Sequence, residues 1–355
     1  MKRINHNIEN GSFLVELMIG LLMSSITILG VLTIYAEFEG QKRTTVQMGQ
    51  TMSNVAIAMF PIEQNAKKAG FGINHLELIG CNVLGYNENR TVKDFNFSLV
   101  PVLITPGADN TVSDEITFMS GSSDRSLYPV KLTSSMPNSA AVYKVDTRYG
   151  MQEGDLLIAV QSGKDCTLSQ ISNLPTSSGT SDNVIHNSGN YTNPVTGLQV
   201  ATTYNKAGGL GISYLKNAKL INIGSEPDIT EYKITDNQLA EYNAFNLKSS
   251  ITSDNIVLMK ALYGLDTDNN DTIDNWTNNI GVATNYQYLK AIKIAILARS
   301  PLKEKAIGGV CSTTTVSTFS SGGITLDASA LPDWNCYRYR LIQSTIPIRN
   351  LMWAS

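Results

Sequence analysis

Histidine is scarce in this chain: His6, His75 and His186 are the three it has. So few leave little room for a multi-histidine metal centre or a nucleophile–histidine pair. His6 lies in a short polar N-terminal stretch and His186 in a Ser/Asn-rich one, while His75 beside Glu77 reads as a surface pair. No CxxC occurs, and Gly208-Gly209-Leu210-Gly211 lacks the following Lys and the strand–helix setting of a phosphate loop. Charge is sparse too, at 16% of residues with a net of −3, so the bulk electrostatics point to no nucleic-acid partner. Trp334, Tyr337, Tyr339 and Trp353 read as core and seam, not as a stacking platform. These absences predict a protein without enzyme activity and without direct nucleic-acid contact.

What is present is a folded chain of 355 residues, 42% hydrophobic, with room for one or two compact domains. Its four cysteines, Cys81, Cys166, Cys311 and Cys336, stand far apart. An even number at wide spacing suits two disulfides in an oxidising compartment, and three pairings are possible. The shorter loop favours Cys311–Cys336 and therefore Cys81–Cys166; four buried cytosolic thiols are the alternative.

The compartment is indicated by the N-terminal region. Residues 1–11 are short and polar, with Lys2 and Arg3, and Phe13 to Tyr35 is then largely apolar with one charge, Glu16. That run is about the ~20 residues a helix needs to cross a hydrocarbon core. A secretory signal has a shorter apolar region of about 7–15 residues and a small-x-small cleavage site, whereas this run ends in Ile34-Tyr35-Ala36-Glu37. Apolar length alone also fits a plain signal anchor. Glu16 separates the readings, because a carboxylate in a membrane helix costs about 2.5–3.5 kcal/mol at the bilayer centre and marks a function.

Gly11, a small residue at Ser12, three apolar residues and Glu16, followed by a long apolar helix, resemble the prepilin signature of type IV pilins and pseudopilins. The resemblance implies cleavage between Gly11 and Ser12 by a prepilin peptidase, N-methylation of Ser12, and retention of the apolar run as an anchor. It also implies that Glu16 pairs with the terminal amine of a neighbouring subunit, since an unpaired buried charge is costly. Major pilins usually carry Phe where Ser12 stands, and many carry a helix-kinking Pro where Thr33 stands. Both departures suit a minor subunit. Lys2 and Arg3 before the run balance Lys42 and Arg43 after it, so an N-in orientation comes from the family and not from charge.

Further on, Met48, Met52, Val55, Ala56 and Met59 recur at helical spacing and predict a seam against a globular domain. Pro61 is expected to kink or interrupt the helix, and Gly70-Phe71-Gly72 to end it. The pattern then turns to β, with strands expected at 115–119, 141–145, 155–160, 214–223, 231–234, 256–263, 289–299 and 337–348. Residues 173–193 and 312–323 read as polar loops, the first long and mobile, the second held between Cys311 and Cys336. The expected class is α+β: a long N-terminal helix, membrane-spanning in its first half, packed on an antiparallel β-rich periplasmic domain. Its expected divisions are a leader at 1–11, helix halves at 12–36 and 37–72, and a globular domain at 73–355.

Several segments resemble the PilW family of minor pilins, to which the type II secretion minor pseudopilins are related. They are QNAKKAGFG at 64–72, Glu153-Gly154-Asp155-Leu156-Leu157-Ile158 leading to Cys166, and Tyr263-Gly264-Leu265-Asp266. AIKIAILARS at 291–300 and Arg338-Tyr339-Arg340 with Thr345-Ile346-Pro347-Ile348-Arg349-Asn350 complete the set. The Asp-rich run DTDNNDTID at 266–274 offers hard oxygens at alternating positions: Asp266, Asp268, Asn270, the Thr272 carbonyl and Asp274. Such a set suits Ca2+, which takes about 6–8 oxygen ligands. PilW-like proteins often carry a similar loop here. Against an EF-hand pattern, Asp271 replaces the turn Gly and Thr277 the final Glu, and a solvated Asp/Asn turn is the other reading.

The resemblance implies a minor pilin that primes pilus assembly at the inner membrane and ends near the filament tip, supporting adhesion, twitching motility or DNA uptake. Its implied partners are other minor pilins, the major pilin, a tip adhesin, prepilin peptidase and inner-membrane lipid. A type II secretion minor pseudopilin and a signal-anchored periplasmic binding protein that never polymerises are the alternatives.

Overall fold

The computed structural model describes residues 10–75, 79–123, 125, 128–180, 182–304 and 309–352, leaving aside the side chains of residues 10–12 and 352. Most of the polar N-terminal stretch, Glu77 and Trp353 therefore lie outside the described residues.

One helix, Asn10–Lys68, dominates the first part of the chain (helix α1). At about 1.5 Å per residue its 59 residues make a rod nearly 90 Å long. In its first half the few hydroxyls bond within the helix: Ser24, Ser25, Thr27 and Thr33 donate to carbonyls three or four residues back. Such self-satisfaction is what a segment without water must achieve. Pro61 lies inside α1 and does not interrupt it. The carbonyl it leaves without a donor belongs to Ile57, whose side chain is exposed, so water can reach that side of the helix. Gly70 and Gly72 end the helix with φ of +83° and +71°, angles that glycine adopts freely.

Among the described residues three larger sheets follow, with three two-stranded ones beside them. The five-stranded sheet is antiparallel throughout, in the order Ser249–Asp254, Gln238–Asn243, Asp228–Thr235, Glu115–Ser120, Val102–Thr105. The four-stranded sheet runs Asn275–Thr277, Ile256–Leu265, Leu289–Arg299, Tyr339–Pro347, again antiparallel. The six-stranded sheet runs Asp94–Ser98, Asn82–Tyr86, Cys166–Gln170, Leu156–Val160, Lys219–Gly224, Val130–Lys131. In it Asn82–Tyr86 and Cys166–Gln170 pair in parallel, beside the disulfide Cys81–Cys166. The second disulfide is Cys311–Cys336, so the bridges are those favoured by loop length.

The class is α+β, with a long apolar helix before an antiparallel β-rich domain. Helix α1 and the four- and five-stranded sheets share one core: Val55, Ala58, Met59, Ile62 and Ala66 meet Ile116, Phe118, Tyr232, Met259, Ile294 and Ile296. The six-stranded sheet is covered on both faces. Leu156, Ile158 and Ile221 pack on one side, and Leu157, Ala159, Tyr143 and Tyr214 on the other.

Several sequence expectations are corrected. The seam of α1 is Gln47, Thr51, Val55, Ala58, Met59, Ile62, Ala66 and Ala69; Met52 and Ala56 face outward. Thr51 can be buried because its hydroxyl donates to the Gln47 carbonyl at 2.8 Å. Residues 173–193 are not an open loop. Asn183–Val184 pairs with Tyr143–Lys144, and Asn190–Thr192 pairs with Gln199–Ala201. His186 is buried there, stacked on Tyr143 at 4.0 Å and donating to the Ala141 carbonyl. Likewise 312–323 contains a strand, Thr318–Ser321, that forms a hairpin with Ile324–Asp327. Of the stretch expected as one strand at 214–223, Lys219–Gly224 is a strand, and Tyr214 anchors the approach by donating to the Asp165 carbonyl.

Candidate functional site: an apolar helix and an acidic loop

Two places carry the candidate site residues. In the first, α1 between Phe13 and Phe38 is exposed throughout: Phe13, Leu17, Leu22, Ile28, Leu32 and Tyr35 are all solvent-facing. Its mean hydropathy reaches 2.3, and none of that window is buried by the rest of the chain. The stretch is long and apolar enough to cross a membrane. Gly11 and Ser12 are in the first helical turn, and Glu16 follows one turn later on an exposed position of the same rod. The structure thus brings these three into one continuous element.

The second half of α1 is held to the domain by polar contacts at successive heights. Arg43 Nη2 donates to the Lys303 carbonyl at 3.0 Å, and Asn54 Nδ2 to the Asp254 carbonyl at 3.1 Å. Ser344 donates to Glu63 at 2.6 Å, and Asn65 to the Tyr232 hydroxyl at 2.8 Å. At the end, the Asn350 amide reaches the carbonyls of Lys68 and Ala69 at 3.1 and 3.0 Å. Helix ends leave four carbonyls without intrahelical donors, and this side chain supplies what local sequence does not. Lys67 and Lys68 also lie in the last turn, the favourable end of the helix dipole for cations. The Asn350 cap has no local sequence signal, because donor and acceptors are 281 positions apart.

The second place is the loop after Ile256–Leu265. Tyr263 is buried, and its hydroxyl accepts from Ile104 N–H at 2.6 Å, tying two sheets together. Gly264 is needed for packing, since a Cβ there would stand 2.7 Å from the Trp276 ring. Lys293 sits over that ring, 3.8 Å from its centroid. Asp266 is fully inaccessible. Its carboxylate accepts from the backbone N–H of Asn270 and Asp271, both at 3.0 Å, and Lys290 Nζ lies 3.4 Å away. Burial by itself would raise its pKa; the two N–H donors and Lys290 outweigh that and hold the carboxyl below its usual range.

Asp266, Asp268 and Asp274 can each present an oxygen within 4.8 Å of the others. Asp271, standing where a turn Gly would be, takes φ of +65°, a left-handed angle Asp tolerates better than most residues. Asn270 and Thr272 serve the turn itself: Asn270 Oδ1 accepts from Thr272 N–H at 2.8 Å, and its amide donates to Asp268 at 2.9 Å. Asp274 accepts from Thr267 through both backbone N–H and hydroxyl. The donor set is therefore hard oxygen, with Lys290 as a built-in competitor for Asp266.

An apolar single helix clamped to an antiparallel β-rich domain defines the architecture. Residues 231–350 match the family model described as PilW, Type IV Pilus-assembly protein W. The matched region contains the acidic loop, the Cys311–Cys336 bridge and the Asn350 cap, and it ties the chain to type IV pilus assembly. No curated protein and no solved structure matches.

Proposed function

We propose that this chain is a minor pilin, processed between Gly11 and Ser12, N-methylated at Ser12, and assembled through Glu16 and the apolar half of α1. On this reading residues 1–11 are the leader, 12–36 the membrane and filament-core half, 37–72 the periplasmic half of the helix, and 73–355 the globular domain. The observation that carries it is the pairing of a wholly exposed apolar helix half with a PilW-family domain. Before assembly that half resides in the inner membrane with the domain in the periplasm. Joined to other minor pilins, the chain primes the filament and ends near its tip.

The reading is tested at the cut itself. Mass spectrometry of the mature N-terminus is expected to give a methylated Ser12; a mature protein beginning at Met1 would sink it. Glu16→Ala should leave cleavage intact and impair incorporation into pili, and normal incorporation would remove the charge pair from the account. A type II secretion pseudopilin would share this N-terminal chemistry, but the family match names the pilus.

In the same proposal, the acidic loop holds Ca2+ through Asp266, Asp268 and Asp274, with Asn270 and the Thr272 carbonyl beside them. Bound there, the cation would neutralise the cluster and cross-link the loop ends. Titration calorimetry of the detergent-solubilised chain should register calcium binding that Asp268→Asn weakens. No heat up to millimolar calcium would leave the loop as a self-bonded turn.

A further inference from the structure

Of the two sheets that share a core with α1, the four-stranded one ends on Tyr339–Pro347, nine residues whose strand neighbour, Leu289–Arg299, lies on one side alone. The register of that pair is unbroken, so it fixes which backbone groups are used. Ser300 N–H donates to the Arg338 carbonyl at 2.7 Å, and Ile348 N–H to the Lys290 carbonyl at 2.9 Å. Antiparallel pairing alternates, so between these points Arg340, Ile342, Ser344 and Ile346 turn their N–H and C=O groups to the neighbour. Those of Tyr339, Leu341, Gln343 and Thr345 point the other way, and no strand or loop among the described residues bonds them.

Both faces of this strand are covered. On one, Ile342 and Ile346 join the core around α1, and Ser344 donates to Glu63. On the other, Tyr339 and Leu341 pack with Ile324 and Leu326. The lateral edge is left open.

Long open edges invite pairing with other chains, and proteins commonly blunt them with lysine, proline, a bulge, short length or a cover. The other edges of these two sheets are treated so. At Val102–Thr105, Ile104 N–H donates to the Tyr263 hydroxyl at 2.6 Å, and the Val102 carbonyl accepts from the Tyr286 hydroxyl at 2.7 Å. Ser249–Asp254 has a register shift opposite Leu239 and Ala240, and Asn54 takes its Asp254 carbonyl. Asn275–Thr277 is three residues long. Tyr339–Pro347 has no lysine and no register shift, and its proline stands at the last position.

Apart from water, what matches N–H and C=O groups repeating at every second residue is another extended backbone. The one charged side chain of the strand is Arg340. It is exposed, and no carboxylate among the described residues pairs with it; Glu63 and Glu304 are taken by Lys67 and Arg338. The strand also lies within the residues that match the pilus-assembly family model. We propose that this edge is a strand-addition surface, receiving an extended segment of another pilus subunit with a carboxylate set against Arg340. The inference rests on the reading of the chain as a pilus subunit. Backbone bonds supply the grip, and the charge pair sets the register.

The test follows the alternation. In the full detergent-solubilised chain, the amides of Leu341, Gln343 and Thr345 should exchange roughly 100-fold faster than those of Ile342, Ser344 and Ile346. Equal protection would overturn the open edge. In piliated cells that make the full chain, p-benzoylphenylalanine placed at position 345 should then form a photo-adduct with another pilus subunit, identified by mass spectrometry. Gln343→Pro removes an N–H that bonds nothing within the chain, so it should keep the urea midpoint while cutting the adduct roughly tenfold. Arg340→Glu, which leaves the backbone alone, should weaken the adduct as well. An adduct unchanged in both variants, or one joining two copies of this chain, would overturn the proposal. No adduct from a chain that carries methylated Ser12 and enters pili would overturn the edge and leave the minor-pilin reading. A chain that never enters pili would overturn both.

Discussion

The two halves of α1 are one unbroken helix with opposite surroundings. From Phe13 to Phe38 no side chain is buried, whereas from Gln47 to Ala69 a residue is buried at every third or fourth position. The first half carries its hydrophobicity all round and bonds its hydroxyls to itself; the second carries a narrow stripe and draws polar partners from distant strands. A helix hydrophobic all round must be covered by something, while one with a stripe is covered by its own domain. Open apolar surface and fold stability are thereby assigned to different lengths of the same rod.

The sharpest way to break this comparison is a matched pair of truncations. Ile62→Ala empties a fully buried site and should cost about 2–5 kcal/mol, whereas Ile28→Ala on the exposed half should stay within about 0.5 kcal/mol. Urea midpoints of the detergent-solubilised chain measure both, and equal losses would show that the halves are not separate. Smaller is Asn350→Ala, which strips the cap and should cost about 1–2 kcal/mol, with faster amide exchange confined to the end of α1. Pro61→Ala tests the solvated gap in the helix. It restores a backbone donor on an open face and should stabilise by no more than about 1 kcal/mol.

The least effect is expected from pH. Burial lowers the His186 pKa below its ordinary value of 6.5, so the folded chain takes up this proton less readily than the unfolded one. Stability should therefore be flat above about pH 7 and fall as pH drops through the ordinary histidine range. His186→Gln should flatten that slope in urea midpoints measured across the range.

How much of this was legible beforehand follows from where polarity and burial agree. The strand Leu289–Arg299 was bounded correctly because its run is apolar on both faces and buried on both. Cys166–Gln170 was missed for the opposite reason: all five residues are buried, yet Thr167, Ser169 and Gln170 are polar. Their side-chain partners, Tyr214, Tyr143 and the Thr203 N–H, come from elsewhere in the chain. The α1 seam failed in the same way, since Gln47 and Thr51 hold buried positions while Met52 is exposed. In the acidic loop the residue set was visible, but the burial of Asp266 and the reach of Lys290 depend on the following strand. The two bridges were favoured by the shorter-loop argument, and the structure has that pairing.

The Asn350 cap has a consequence in time. Helix α1 is synthesised before the side chain that closes it, because that amide comes 281 residues after the carbonyl it caps. At synthesis rates of about 5–20 residues per second the helix end stays open for some tens of seconds. Through that interval the carbonyls at the far end of the rod lack this donor. The clasp at the helix end is thus the last of these joints to become possible, later than those of Asn54 and Asn65 with their strands.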